Sequence, residues 1–211
     1  MDTDTASADR PQLLWFWLLW ILASAVGGAV TGFLEAGRFQ FLATLVLMGF
    51  FAGFVQWLVL QPYVSRAFWW FPATGIGMVL GNILQILLRP VGQLATLLHQ
   101  QIGLWEVFWL NGLLWPIVFA ATGLLQWLVL RFVCRFSVGT GWWILLSIGA
   151  GVLYGTAGAT FCYAGCDAIS ATLNAQVSTA LTYAMSWAVY ALGSGWFLAR
   201  LIQRNRRSQV V

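Results

Sequence analysis

The chain alternates between long apolar segments and short polar connections. Six segments are long enough to cross about 30 Å of hydrocarbon, which takes about 20 helical residues. None alternates with the period of two expected of a strand, and lipid offers no partner to open backbone groups, so we expect helices. The pattern predicts an all-α integral membrane protein with six transmembrane helices. The segments are approximately residues 13–34, 39–60, 69–88, 106–130, 142–162 and 177–200.

One short motif recurs along the chain and indicates an internal repeat. GFVQWLVL at residues 53–60 returns as GLLQWLVL at 123–130 and, less faithfully, as GSGWFLAR at 193–200. Each repeat contains two apolar segments, so successive units have the same orientation about an axis along the membrane normal. We predict one membrane domain over residues 1–211, built from three helical hairpins with pseudo-threefold symmetry. The units are residues 10–66, 67–137 and 138–207, and the motif residues are Gly53, Gln56, Trp57, Gly123, Gln126, Trp127 and Gly193.

The two motif glutamines are polar groups inside predicted membrane helices. Gln56 and Gln126 are expected to hydrogen-bond across helices and fix their packing. The alternative is that they line a shared vestibule, but Trp196 takes the corresponding position in the third unit and would break such a ring. Nearby glycines are expected to let helices approach closely. Tryptophan pairs at the start of the first helices, such as Trp69 and Trp70, are typical of anchors at the membrane interface.

The composition excludes a soluble protein. The chain is 61% hydrophobic and 8% charged with a mean hydropathy of +0.82, whereas soluble domains carry about 25% charge. The net charge of +4 comes from ten arginines and six acidic residues, without any lysine, and we expect no nucleic-acid partner. Eight arginines fall on one predicted side, and only Arg38 and Arg89 fall on the other. The positive-inside rule therefore predicts that both termini are cytoplasmic.

The few polar groups on the predicted outer side form the candidate ligand site. Charged and amide side chains at membrane depth are functional hypotheses by default, because their burial in lipid is costly. The alternative is that they are wetted loop residues with local ion pairs. Leucines at helical spacing near residues 94–102 also predict a short helix in the interface. The candidate residues are Glu35, Arg38, Asn82, Arg89, His99, Glu106 and Asn111.

Histidine and cysteine are too scarce to specify a cofactor. His99 is the only histidine, and it could ligate a pigment or a haem iron, although a lone interfacial histidine more often does neither. Cys162 and Cys166 are four residues apart on the predicted outer side and could form a disulfide. Two such ligands predict no metal site. Catalytic motifs are also missing, so we expect no enzyme, and the cofactor stays unknown.

The two better copies of the motif resemble a recurring family pattern. GFVQWLVLQPYVSRAFWW and GLLQWLVLRFVCRFSVGTGWW share Gly-x-x-Gln-Trp, a turn, Trp-Trp and a glycine-rich helix, within about residues 49–155. The pattern is similar to that of a family of uncharacterised small polytopic membrane proteins common in phototrophic bacteria such as cyanobacteria. The first copy departs from it, with Gln61-Pro62 where the second has Arg131-Phe132. The resemblance implies a bacterial inner or thylakoid membrane and carries no activity.

Two functions from different classes fit these features. The first is a non-catalytic accessory or scaffold subunit of a larger membrane complex, which could also bind pigment or lipid. Its partners would be the lipid bilayer and the subunits of that complex. The alternative is a small-solute or lipid transporter, or a substrate-binding membrane component, because a threefold bundle offers a central axis. A cavity open to the outer polar residues would favour transport, and a tightly packed axis would argue against it.

Overall fold

The structure is a computed structural model that describes residues 5–88, 90–136 and 139–207. Over these residues its regular structure is entirely helical, which confirms the predicted all-α class. The helices are α1 (Thr5–Leu34), α2 (Gln40–Leu42), α3 (Met48–Leu60), α4 (Trp70–Leu87), α5 (Pro90–Ile102), α6 (Glu106–Leu128), α7 (Trp142–Thr172) and α8 (Ala175–Arg207). The π-helical turns Glu35–Phe39, Ala43–Leu47 and Val129–Val133 and the 3-10 turn Ala67–Trp69 adjoin them.

Four of the described segments are long and apolar enough to cross a membrane, which indicates a membrane protein. They are Gln12–Leu60, Ala67–Leu87, Glu106–Val133 and Trp142–Thr172. The first has 49 residues, and a straight helix of that length would measure about 70 Å. The chain is bent instead, because the backbone leaves the helical region at Gly37 (φ −94°, ψ −135°) and α3 packs against α1. Six spans with threefold symmetry go beyond these four segments and stay a prediction.

Six helices pack in a closed ring. In order, α1, α3, α4, α6, α7 and α8 each contact the next, and α8 returns to α1. Glycines let neighbouring backbones touch, because no side chain separates them. A Cβ added at Gly32 of α1 would lie 2.6 Å from the carbonyl oxygen of Thr179 on α8. One added at Gly81 of α4 would lie 2.5 Å from the Cα of Val118 on α6. These small residues are therefore at helix interfaces.

Aromatic side chains fill the interior of the ring. Trp20 of α1, Trp70 of α4 and Trp143 of α7 are at most 1% exposed. The rings of Trp20 and Trp70 meet edge to face at 5.8 Å between centroids, and those of Trp70 and Trp143 at 5.4 Å. The prediction that these tryptophans are mostly interface anchors therefore does not hold for Trp70 and Trp143, which are buried. Neighbouring side chains point in different directions around a helix, so Trp69 and Trp142 are exposed while their partners face inward.

The two ends of the bundle carry different side chains. The arginine end holds the turns after α3 and α6 and the last turns of α8, with described side chains Arg66, Arg131, Arg135, Arg200, Arg204 and Arg206. The opposite end, which we call the Glu35 end, holds Glu35, the helix α5 predicted near residues 94–102, and the turn from α7 to α8. Helix α7 continues to Thr172, past the expected end near residue 162. No proline interrupts that stretch, and Asn174 accepts a hydrogen bond from the backbone N–H of Val177 at 2.8 Å where α8 begins.

Candidate functional site

Gln56 links three helices in the bundle interior. Its amide nitrogen donates to the Ser24 hydroxyl of α1 at 3.1 Å. Its amide oxygen accepts from the indole N–H of Trp70 on α4 at 3.0 Å. Gln56 is fully buried, so both bonds form away from solvent and make the cross-helix link that a polar group in lipid needs.

Gln126 repeats this arrangement one hairpin later. Its amide nitrogen donates to the Thr74 hydroxyl of α4 at 2.8 Å, and its oxygen accepts from the Trp143 indole of α7 at 3.0 Å. The hydroxyl hydrogens are used as well. Thr74 donates to the carbonyl oxygen of Trp70, and Ser147 donates to that of Trp143, each one turn earlier in its helix. The hydrogen-bond donors and acceptors of these neutral side chains pair with one another, so the arrangement contains no reactive side chain.

In the third hairpin two hydroxyl groups take the place of the glutamine. The indole N–H of Trp20 on α1 donates to the Ser194 hydroxyl of α8 at 3.2 Å. The Tyr190 hydroxyl lies beside the side chains of Ser194 and Ser147. Trp196, which stands at the position that corresponds to the two glutamines, takes no part in this network. Trp196 is 46% exposed, whereas Ser194 and Tyr190 are buried on the inner face of α8, where they place hydroxyl groups next to Trp20 and Ser147.

The motif glycines do not all have the same role. A Cβ added at Gly123 would lie 2.5 Å from the Cβ of Ser147, and Gly53 is similarly close to α4. Nothing lies within 4 Å of a Cβ added at Gly193, whereas one added at Gly195 would lie 2.5 Å from an indole ring of α1. The close approach in the third hairpin is thus at Gly195, two residues away from the position that the repeat predicts.

The two remaining motif residues lie outside the hydrogen-bonded network. Trp57 and Trp127 are half-buried. Trp57 packs against Phe68 at 5.7 Å between ring centroids, and Trp127 against Phe132 at 6.0 Å. Both contacts join a helix to the turn that follows it, so these tryptophans stabilise the arginine end of the hairpins.

Ser194→Ala should lower the free energy of unfolding by about 1–3 kcal/mol, because it leaves the buried N–H of Trp20 without an acceptor. Gly193→Ala is the matched control on the neighbouring residue. Its new methyl group meets nothing within 4 Å, and alanine favours a helix over glycine, so stability should hold or rise slightly. Equilibrium unfolding in mixed detergents, followed by circular dichroism, measures both variants. Equal stability of Ser194→Ala and the parent would show that Ser194 does not complete the network.

Glu35 binds hydroxyl groups from two other elements at its end of the bundle. Its carboxylate accepts hydrogen bonds from Thr44 in the second π-helical turn and from Tyr183 of α8. The hydroxyl oxygens of Thr44 and Tyr183 are 3.3 Å apart. Asn82 of α4 donates to the carbonyl oxygens of Thr44 and Leu45 at 3.4 Å and 3.3 Å. We call Glu35, Thr44, Asn82 and Tyr183 the Glu35 cluster; it brings together two of the predicted site residues.

A cleft of about 170 Å³ opens beside the Glu35 cluster, between α6, α7 and α8. Trp115 and Tyr154 supply aromatic rings, and Tyr183 and Ser186 supply hydroxyl groups. Tyr183 also binds Glu35, so the cleft and the cluster are continuous. A cavity of about 150 Å³ holds one benzene molecule in another protein, and this cleft therefore has room for one ring-sized apolar group with a hydrogen-bonding substituent.

Asn111 is the predicted site residue that reaches this cleft. It accepts a hydrogen bond from the Trp115 indole at 2.9 Å and donates to the carbonyl oxygen of Val107 at 2.9 Å. These bonds hold the indole ring against the cleft wall.

Arg38 is exposed at the same end of the bundle. Arg89 lies outside the described residues.

His99 and Glu106 belong to the hairpin of α5 and α6. Glu106 accepts a hydrogen bond from the Thr96 hydroxyl at 2.5 Å, which ties the two helices together. The Nδ1 atom of His99 contacts the carbonyl oxygen of Leu104. That contact leaves Nε2 as the nitrogen that a pigment or haem iron would reach. Both side chains are exposed, so they form a surface group on the α5–α6 hairpin.

The three cysteines are in two chemical states. Cys162 and Cys166 are joined by a disulfide within α7. Cys134 is the free thiol and is buried at the arginine end. Burial raises the pKa of the Cys134 thiol to about 11, and nearby Arg66 partly offsets the rise, so the thiol is protonated and unreactive at neutral pH. Within the described ranges, no group of three histidine, cysteine or carboxylate side chains could hold a metal ion.

Sequence reasoning missed the hydroxyl groups of the site. Thr44, Tyr154, Tyr183 and Ser186 all lie in apolar segments. Hydropathy averaged over a span hides single hydroxyl groups, and a helix can satisfy a serine or threonine with its own carbonyl oxygens. Ser186 does this by donating to Thr182 at 2.9 Å. The usable signal was the presence of tyrosine well inside an apolar segment, where its hydroxyl needs a partner.

Comparison with protein families, with curated proteins and with solved structures finds no match to this chain. The resemblance to a family of small membrane proteins common in phototrophic bacteria therefore stays a prediction.

Proposed function

We propose that the protein is a non-catalytic integral membrane subunit, an accessory or scaffold component of a larger membrane complex. In this proposal it holds one apolar group of a pigment or lipid in the cleft at its Glu35 end. The observation that carries the proposal is the filled interior. Phe119, Trp187 and Tyr190 are at most 1% exposed and contact one another with ring centroids 4.6 to 5.6 Å apart. Such packing argues against a standing path through the bundle.

The same proposal includes six membrane spans in three hairpins. The bend at Gly37 supports two spans within Gln12–Leu60, and α8 has 33 residues, enough for a further span. Links through Gln56, through Gln126 and through the Tyr190–Ser194 pair recur once in each hairpin, which supports a pseudo-threefold axis. Arginines gathered at one end support cytoplasmic termini.

The size and position of the cleft favour a ligand that is dissolved in the membrane. Drug-sized ligands occupy pockets of about 300–1,000 Å³, and the cleft measures about 170 Å³. It can therefore enclose one ring or chain end while the rest of the ligand lies along the apolar outer surface. Aromatic rings would pack against that group, and the hydroxyl groups of Tyr183 and Ser186 would orient it.

Purification in mild detergent, with an absorption spectrum and mass spectrometry of the bound material, tests this proposal. The protein should co-purify with a fixed set of membrane subunits and with a pigment or lipid. Ala159→Phe places a ring in the cleft, which Ala159 lines, and should reduce the bound ligand at least tenfold. Val152→Phe adds the same ring to an exposed position of α7 and should retain it. A lone monomer without ligand would contradict the proposal.

The second candidate is a small-solute or lipid transporter, and one observation favours it. Tyr183 both lines the cleft and binds Glu35, so the cleft opens beside polar groups at one end of the bundle. Flux of a co-purified small molecule into liposomes that contain the protein tests this candidate. Flux that Ala159→Phe abolishes and Val152→Phe preserves would favour transport. Flux equal to that of empty liposomes would favour the scaffold.

A further inference from the structure

A groove at the arginine end combines positive charge with aromatic and apolar surface. It lies between the start of α7 and the last turns of α8, and its volume is about 250 Å³. Arg200 and Arg204 are one helical turn apart and both line it, together with Trp142, Trp196 and Phe197. The proposed scaffold function uses none of these residues.

One wall of the groove is held in place before any ligand binds. The guanidinium carbon of Arg200 lies 4.7 Å from the ring centroid of Trp196. Trp196 meets the edge of Trp17 at 6.0 Å between centroids, and the indole N–H of Trp17 donates to the carbonyl oxygen of Leu192 at 2.8 Å. Stacking on an aromatic face fixes a guanidinium while leaving its N–H donors free to bind an anion.

The other wall adds a favourable electric field. Helix α7 begins at Trp142, and its N-cap residue Gly141 provides no side-chain cap. The first N–H groups of a helix carry a partial positive charge, and in α7 the N–H of Trp143 already donates to the carbonyl oxygen of Thr140 at 3.0 Å. Nothing lies within 4 Å of a Cβ added at Gly141, so the start of α7 is uncrowded at this residue. An anion between α7 and α8 would meet this field on one side and two arginines on the other.

We propose that this groove binds the headgroup phosphate of an anionic phospholipid. A lipid suits it better than a free anion because the charged and apolar parts are adjacent. Trp142 and Trp196 are 66% and 46% exposed, as tryptophans at the level of lipid headgroups are. Phe197 is half-buried, lines the same groove and gives an acyl chain an apolar surface. The two arginines then bind the phosphate where the chain region ends.

Native mass spectrometry of the full chain with added phosphatidylglycerol or phosphatidylcholine tests the site. An arginine near an anionic surface contributes about fivefold to binding, so Arg200→Gln combined with Arg204→Gln should weaken phosphatidylglycerol binding about 25-fold. Phosphatidylcholine should bind the parent at least tenfold more weakly than phosphatidylglycerol. The matched control combines Arg66→Gln with Arg135→Gln, which removes the same charge from exposed positions at the same end. That control should weaken binding less than threefold.

Three outcomes would overturn the proposal. If phosphatidylglycerol binding falls equally in the two double variants, the lipid is attracted to the arginine end as a whole and does not bind at a defined site. Equal binding of the two lipids would mean that the headgroup charge is not recognised. Full displacement of phosphatidylglycerol by millimolar inorganic phosphate would mean a free-anion site. Unfolding of both double variants, followed by circular dichroism, should match that of the parent. A loss of lipid binding then cannot result from a loss of folded protein.

Discussion

Trp70→Ala should lower the free energy of unfolding by about 3–5 kcal/mol, the range for truncating a buried tryptophan. The side chain is 1% exposed and lies between the indoles of Trp20 and Trp143. Its removal leaves a cavity where three helices meet, and the aromatic contacts on both sides are lost. It also leaves the buried oxygen of Gln56, now 3.0 Å from the indole nitrogen, without that donor. Equilibrium unfolding in mixed detergents, followed by circular dichroism, gives the change.

Trp69→Ala is the control, because it removes the same side chain from the neighbouring residue. Trp69 is 54% exposed, and its described ring contact is with Phe68 at 6.4 Å. We expect it to lower stability by less than about 1 kcal/mol, as surface changes usually do. Alkylation of Cys134, the buried free thiol, gives a second readout that should accelerate in Trp70→Ala alone. Equal losses in the two variants would mean that the buried indoles do not stabilise the bundle interior.

Hydropathy predicted where the helices lie along the chain. It predicted the end of a helix only where the helix stops at the edge of the apolar segment. Residues 69–88 and 106–130 correspond closely to Trp70–Leu87 and Glu106–Leu128. Helix α7 continues to Thr172, past the predicted end. Hydropathy marks the part of a helix that lipid surrounds, whereas the helix itself can continue into polar surroundings until a residue ends it. For the same reason, the bounds of α5 were predicted only approximately, as a short helix near residues 94–102.

The interior network was predictable for two hairpins and not for the third. Gln56 and Gln126 share a motif, and aligning the third copy places Trp196 opposite them. An alignment compares positions and takes no account of how far each side chain reaches. Tyr190 is long enough to contact Ser147 from an earlier turn, and Ser194 is near enough to accept from Trp20. A different pair of side chains thus occupies the place of the glutamine.

The Glu35 cluster could be predicted only in part. Glu35 and Asn82 were candidates because charged and amide groups are rare in the apolar segments. Their shared neighbourhood depends on Thr44 and Tyr183, and Tyr183 comes from the last helix of the chain. That contact exists because α8 packs against α1 to close the ring. Ring closure is a property of the packing, and no local pattern in the sequence predicts it.

Gly81→Leu should lower the free energy of unfolding by about 3 kcal/mol or more, the upper range for overpacking a close-packed interface. A Cβ at Gly81 would lie 2.5 Å from the Cα of Val118, and one at Gly77, a turn earlier, would lie 2.6 Å from the Cα of Thr122. The obstacle is backbone, so no rotamer change relieves it, and α4 must separate from α6. The core indole Trp70 lies on α4 as well, so this separation would also loosen the contacts around it. Thermal unfolding in detergent, followed by circular dichroism, measures the loss.

Gly149→Leu provides the comparison, since nothing lies within 4 Å of a Cβ added there and Gly149 is exposed on α7. Leucine favours a helix over glycine, so this variant should be as stable as the parent or slightly more stable. If Gly81→Leu does not fold, Gly81→Ala gives a graded test, because its single methyl group already meets Val118 and should cost about 1–3 kcal/mol. Stability of Gly81→Ala equal to the parent would mean that α4 and α6 do not touch through their backbones. The closed ring would then have room at this interface, and the case against a path between helices would weaken with it.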